Sequence, residues 1–167
     1  EMAPDETAYR CNICTISDDD LPYEDKIMLD HSADEITTAE ADELIKALDA
    51  ALGNEIRKFH TGISYRHCLI WKDGDEHYDF SRPHDIIGRT IGDYLPMSPS
   101  SRPMLELMRA SYEFLNNHPL NIERESKGLK KANSLWLWSP GKKPQLPSFS
   151  EKWGLKGAVI SAVDLIK

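Results

Sequence analysis

Along residues 9–16, side chains alternate in the two-residue period of a strand. Tyr9, Cys11, Ile13 and Thr15 fall on one face and Arg10, Asn12 and Cys14 on the other. Residues 27–29 read as a short second strand. Beyond Thr37 the period changes. Ala41, Leu44, Ile45, Leu48 and Leu52 recur at helical spacing, Thr37-Thr38-Ala39-Glu40 has the form of a capping box, and Gly53 supplies a stop, which predicts a helix over 37–53. Two further strands are expected at 56–60 and 63–71, separated by Thr61-Gly62. The second is rich in aromatic and β-branched residues, with Ile63, Tyr65, His67, Leu69 and Trp71 on one face and Ser64, Arg66, Cys68 and Ile70 on the other. Residues 72–101 form a long irregular connection, with a short turn expected at Pro83-His84-Asp85. Connections of that length are usually functional or mobile.

The helical period returns over 103–116, where Met104, Leu105, Met108, Tyr112 and Leu115 make an apolar stripe. Asn121 is the expected cap of a shorter helix ending near Gly128. An aromatic strand at 134–138, a loop rich in Pro and Lys, a short helix at 150–153 and a terminal strand from Gly157 complete the chain. Helices and strands interleave without strict βαβ alternation, and no repeat is visible. The expected class is α/β in the α+β sense: a mixed sheet covered by helices.

Composition narrows the functional classes. The length of 167 residues fits one domain, and 40% apolar residues can supply an ordinary core. A formal net charge of −8 argues against nucleic acid as a partner, because phosphate backbones reward a basic stripe. A few convergent arginines can still dominate one pocket of an acidic protein. No apolar run is long enough to span a bilayer and no signal segment opens the chain, so a cytoplasmic protein with no membrane partner is expected. Three cysteines make no disulfide framework, and Cys11-x-x-Cys14 lacks the second pair of a zinc site, so a buried reduced pair is the expectation. The chain opens at Glu1-Met2-Ala3-Pro4 and stops at Lys167, directly after the strand-like run from Gly157 to Ile166. A natural polypeptide that continues beyond it is expected.

The chain holds no nucleophile elbow, P-loop, H-E-x-x-H or G-x-G-x-x-G motif, and its six histidines are scattered without ligand spacing. No catalytic engine or metal site is therefore expected within it. Anion binding is within reach: Arg10 and Asn12 project from one strand face and Arg66 from another, and guanidinium forks match carboxylate and phosphate oxygens. Each arginine also fits an ordinary outward strand position. His67 fits a packed core histidine, Pro83-His84-Asp85 a local turn, and Trp136-Leu137-Trp138 core packing.

Five segments, in order, resemble the archaeal-type cofactor-independent phosphoglycerate mutases. They are Ala8-Tyr9-Arg10-Cys11-Asn12, Gly62-Ile63-Ser64-Tyr65-Arg66-His67, Pro83-His84-Asp85, Trp136-Leu137-Trp138 and the block from Gly157 to Lys167. The resemblance spans nearly the whole chain. It implies a two-domain enzyme of the alkaline-phosphatase-like superfamily, in which a serine nucleophile and two divalent metals (Mn, Mg or Zn) flank an inserted domain. That enzyme interconverts 3-phosphoglycerate and 2-phosphoglycerate, a glycolytic step, through a phosphoserine. Residues 1–167 would be the insert, with 157–167 a strand leading back into the metal core. The partners implied are a phosphorylated small molecule and the remainder of the polypeptide.

Carried over by position, Arg10, Asn12, Arg66 and His67 become substrate-side residues, with Arg124 and Lys167 behind them. Where the family commonly reads Asp-Tyr-Ser-Ala-Gly-His-Ile, this chain reads Asp30-His31-Ser32-Ala33-Asp34-Glu35-Ile36, and Ser139-Pro140 replaces the usual Gly-Gln. Glu35, placed toward substrate by the resemblance, would repel phosphoglycerate but suit an amine. A related phosphotransferase, such as the homoserine kinases proposed among relatives, is thus an alternative reading, and a non-catalytic binding module is a third.

Overall fold

The computed structural model describes residues 2–77, 81–144 and 147–158. Strand β1 (Glu6–Ile16) is central, with β5 (Ser134–Lys142) on one side and β4 (Arg66–Lys72) then β3 (Arg57–Ile63) on the other. Strand β2 (Met28–Asp30) pairs with the C-terminal end of β1. The α+β class stands. Each pairing between described strands is antiparallel, so the expected mixed sheet narrows to an antiparallel one. The expected terminal strand falls largely on residues 159–167, outside the described residues.

Register assigns the two sheet faces. Cys11 lies opposite His67 and Leu137, while Asn12 lies opposite Arg66 and Trp136, and Arg10 opposite Cys68 and Trp138. Cys11 and Leu137, with Tyr9, Ile13, Leu69 and Leu135, are buried in the core and His67 is buried beside them, whereas Arg10 and Arg66 of the other set are exposed. Helix α1 (Thr38–Leu52) packs on β3, and α2 (Arg102–Leu115) packs on β5 and α1. Leu44 and Leu48 of α1 are fully buried, each contributing about 2 kcal/mol of apolar transfer. The capping box forms as expected: Glu40 N donates to Thr37 Oγ1 and Thr37 N donates to Glu40 Oε2. Cys11 and Cys14 are free and buried, and burial pushes both thiols up.

Three local expectations change. Strand β3 runs through Thr61 and Gly62, and the hairpin turns at Ser64-Tyr65, with Ser64 at φ 54°. Gly62 is required inside the strand, because a Cβ there would collide with the Arg66 carbonyl oxygen. Helix α3 (Pro119–Ser126) starts earlier than Asn121: His118 is the cap and Pro119 occupies the first turn. Asn121 is instead buried, bridging the Leu115 and Ala132 backbones. Strand β5 extends past Trp138 to Lys142. A last short helix, α4 (Phe149–Trp153), has its own capping box from Ser148 to Glu151.

Side chains cover the start of the β3 edge. Asp49 Oδ1 accepts the Phe59 amide at 2.8 Å, and Asn54 Oδ1 accepts those of Ile56 and Arg57. Among the described residues, no helix is long and apolar enough to cross a membrane.

Candidate functional site

The sheet face opposite the helices opens into a cleft of about 590 Å³ that gathers Arg10 and Asn12 from β1, Tyr65 and Arg66 from the hairpin, and Trp138 from β5. Its remaining wall comes from the long connection, where Arg82, His84 and Asp85 line it from a 3-10 turn (Pro83–Asp85). Strand alternation explains the first group. Asn12 and Arg66 are direct cross-strand partners, and Arg10 sits two residues along on the same face.

Each strand arginine rests on an aromatic ring. The Arg10 guanidinium lies 4.8 Å from the centre of the Trp138 ring and that of Arg66 lies 4.4 Å from the Tyr65 ring. The platforms are themselves tied. Trp138 Nε1 donates to Asn12 Oδ1 at 3.0 Å, and Asn12 Nδ2 donates to the His31 carbonyl at 3.1 Å. Arg66 Nη2 donates to Tyr65 Oη at 2.8 Å, while the Tyr65 carbonyl accepts the Ile13 amide. Ser64 anchors this turn, its hydroxyl donating to the Ile36 carbonyl and its amide to Thr38 Oγ1. Among the described residues Arg10 makes no side-chain hydrogen bond and Arg66 makes only the one to Tyr65, so most of their donors face the cleft.

The electrostatics favour an anion. Three guanidiniums meet one carboxylate, Asp85, which already accepts from Arg82 Nε at 2.8 Å. The turn bearing them is held near β5 by Trp136 Nε1, which donates to the Ser81 carbonyl. Burial lowers the His84 pKa, with His31, Arg82 and Arg66 acting in the same direction and Asp85 opposing. An arrangement of this kind can grip carboxylate or phosphate oxygens in several bidentate ways. A second hollow of about 580 Å³ lies over Asn54, Arg57, Lys58 and Lys72. Two of its cations are engaged, Arg57 donating to the Leu52 carbonyl and stacking on Trp71 and Lys72 facing Asp5, and Glu6 and Glu55 line the same hollow.

Arg10, Asn12 and Arg66 therefore line one cleft. His67 touches the cleft but points by register to the core face. Its Nδ1 accepts the Gly62 amide at 3.2 Å, and burial lowers its pKa to about 4, with nearby Asp42 pulling the other way. A neutral imidazole that braces the hairpin is its role here.

Arg124 and Glu35 are corrections. Arg124 is buried, with Nε on the Lys130 carbonyl (3.0 Å), Nη1 on Glu40 Oε1 (2.8 Å) and Nη2 on the Ala33 carbonyl (2.6 Å), so its donors are spent on the fold. Glu35 is exposed and does not line the cleft. The reason lies in its loop, where Ala33, Asp34 and Glu35 all take left-handed φ, at 50°, 57° and 50°. The Asp30 carboxylate accepts from Ser32 N, Ser32 Oγ and Asp34 N, and Lys130 Nζ binds both Asp30 and Asp34. Wound in this way, the loop gives its carbonyl to Arg124 and turns Glu35 to solvent. Lys167 lies outside the described residues.

Arg82 and Tyr65 complete the cleft without having been expected there. An arginine directly before Pro83-His84-Asp85 was the available signal for the first. Tyr65 falls on a strand face when the turn is read at Thr61-Gly62, three residues before its position at Ser64-Tyr65. Among the described residues, no group of three or more His, Cys, Asp or Glu side chains could hold a metal ion. The divalent metals implied by the resemblance thus find no ligand set in these residues, and no chemistry of this site is routed through them.

Comparisons with known proteins point one way. Residues 1–121 match the family model PhosphMutase, described as 2,3-bisphosphoglycerate-independent phosphoglycerate mutase. A probable 2,3-bisphosphoglycerate-independent phosphoglycerate mutase of Geobacter sulfurreducens is 40% identical over 100% of this chain and 41% of its own length. The 2,3-bisphosphoglycerate-independent phosphoglycerate mutase of Methanosarcina barkeri is 42% identical over 99% of this chain and 40% of its own. Among solved structures, a cofactor-independent phosphoglycerate mutase from Thermoplasma acidophilum superposes with a TM-score of 0.67 at 26% identity, covering 92% of this chain and 42% of that one. The chain thus spans about two fifths of the length of the relatives it matches.

Proposed function

This chain belongs to the 2,3-bisphosphoglycerate-independent phosphoglycerate mutase family, and from that premise we propose that it is the substrate-gripping domain of such a mutase. In this reading residues 1–167 are inserted in a larger polypeptide, and 157–167 return to a core that carries the nucleophilic serine and divalent metals. Those metals would supply charge stabilisation and nucleophile activation in the core. This chain's own residues bind and orient phosphoglycerate, and docking onto the core excludes water from the phosphoserine. The observation that carries the reading is the convergence of Arg10, Arg66 and Arg82 on one cleft, two of them stacked on aromatic platforms. Phosphoglycerate offers two anionic ends, a carboxylate and a phosphate, and three forks suffice to hold both. The amine-binding alternative loses its support, since Glu35 stands outside the cleft and Asp85 is paired with Arg82.

The test is kinetic. In the full-length polypeptide, Arg10→Ala and Arg66→Ala should each weaken kcat/KM for 3-phosphoglycerate by about tenfold or more, since a charge-assisted hydrogen bond contributes about 1.5–3 kcal/mol. Unchanged kcat/KM in both variants would remove the cleft from the substrate path. The isolated 167-residue chain should show no mutase or phosphatase turnover with added Mn²⁺. Metal-dependent turnover from the chain alone would overturn the division of labour.

A further inference from the structure

We propose that His31 and His84 form a proton-linked anion contact, taking up one proton as an anion enters the cleft, so that binding tightens as the pH falls. The inference rests on reading the cleft as an anion site. The two imidazole rings lie 4.2 Å apart, centre to centre, with their planes 37° from parallel. Trp138 packs edge-on 5.8 Å from His84, and Tyr65 packs edge-on 5.3 Å from His31. His84 lines the cleft itself. His31 stacks against it, with a buried Nδ1 that has no hydrogen-bond partner among the described residues and lies 4.0 Å from Asp30 Oδ1.

The charged groups around the pair come from every neighbouring element. Asp30 of β2 stands behind His31 and is itself held by Lys130. Arg82 and Asp85 flank His84 on its own turn, and Arg66 faces it from β4. Tyr65 is the remaining titratable neighbour. Two imidazolium ions at this separation would repel each other, and Arg66 and Arg82 act on His84 in the same direction. Burial works in the same direction on His84, below its ordinary value of 6.5. An anion held among Arg10, Arg66 and Arg82 offsets that repulsion and raises the proton affinity of His84. Linkage is reciprocal: if the anion favours the proton, the proton favours the anion. The bound proton comes from solvent, and no covalent bond is made or broken.

Inorganic sulfate is the probe, because it is a dianion with no proton of its own to exchange near neutrality. Sulfate is titrated calorimetrically into the 167-residue chain in two buffers of different ionisation heat. The expected result is uptake of up to one proton per sulfate near about pH 6.5, with affinity rising up to about tenfold per pH unit as the pH falls from about 7.5 to about 6. His84→Gln and His31→Gln, each checked for folding by circular dichroism, should lose that uptake and the pH dependence. Sulfate binding without proton uptake, or uptake retained in both variants, overturns the pair and leaves the anion cleft standing. Failure of the wild-type chain to bind sulfate at any of these pH values overturns the cleft reading and the pair with it.

Discussion

The cleft around Arg66 and the clamp around Arg124 hold the same side chain under opposite conditions. Arg124 has every nitrogen on a protein acceptor, joining α3, the cap of α1 and the left-handed loop at Ala33. Arg66 stands exposed on a tyrosine ring and spends one donor on it. An arginine whose forks are saturated can only stabilise its fold. One whose forks are aimed outward by a rigid platform can bind a ligand at little further cost in side-chain entropy. Donor occupancy, rather than residue type, separates the clamp from the candidate site here.

Breaking the clamp should have the largest effect. Arg124→Met leaves Glu40 Oε1 and two carbonyls without their donor, and should destabilise the chain by about 3–5 kcal/mol in urea unfolding. A loss below about 1 kcal/mol would show that water replaces the guanidinium and that the comparison is overdrawn. Arg66→Ala should do the reverse, leaving stability within about 0.5 kcal/mol while weakening sulfate binding by about tenfold. If stability falls as far as for Arg124→Met, the platform is part of the fold after all.

The pH response of the loop that meets the clamp sharpens the contrast. Burial works against ionisation of Asp30, but hydrogen bonds from Lys130, Ser32 and Asp34 outweigh it and hold the carboxyl below its ordinary 3.8. A depressed carboxylate contributes stability above its unfolded value and loses that contribution as the pH falls through the folded one. Wild-type stability should therefore drop on acidification below about pH 4, and Asp30→Asn should flatten that limb. An identical acid limb in the variant would put the linkage elsewhere. The smallest effect is expected at Glu35. Glu35→Gly relieves a left-handed φ on an exposed residue, and should change stability by no more than about 1 kcal/mol without altering sulfate affinity.

Where a period or a cap is local, the chain could be read directly. The alternation of β1, the capping box at Thr37 and the apolar stripe of α1 all follow from neighbours within a few residues, and they carry Arg10 and Asn12 to the right face. Thr61-Gly62 has the composition of a turn, whereas the backbone turns at Ser64, whose left-handed φ is secured by Ile36 and Thr38 from a distant part of the chain. Arg124 reads as a weaker substrate-side residue behind Arg66, and its structural role is not legible because its three acceptors come from residues 33, 40 and 130, distances along the chain that no local pattern reports. Arg82 was hidden by the irregular connection and reaches the cleft through the tether of Ser81 to Trp136.

The plugs on β3 bear on how the molecule behaves in a crowd. With the Phe59 amide on Asp49 and those of Ile56 and Arg57 on Asn54, this rim offers few open donors to a neighbouring strand. Removing Asp49 would unseal a template for chain-to-chain growth, so a side chain remote from the cleft helps to keep the sheet finite.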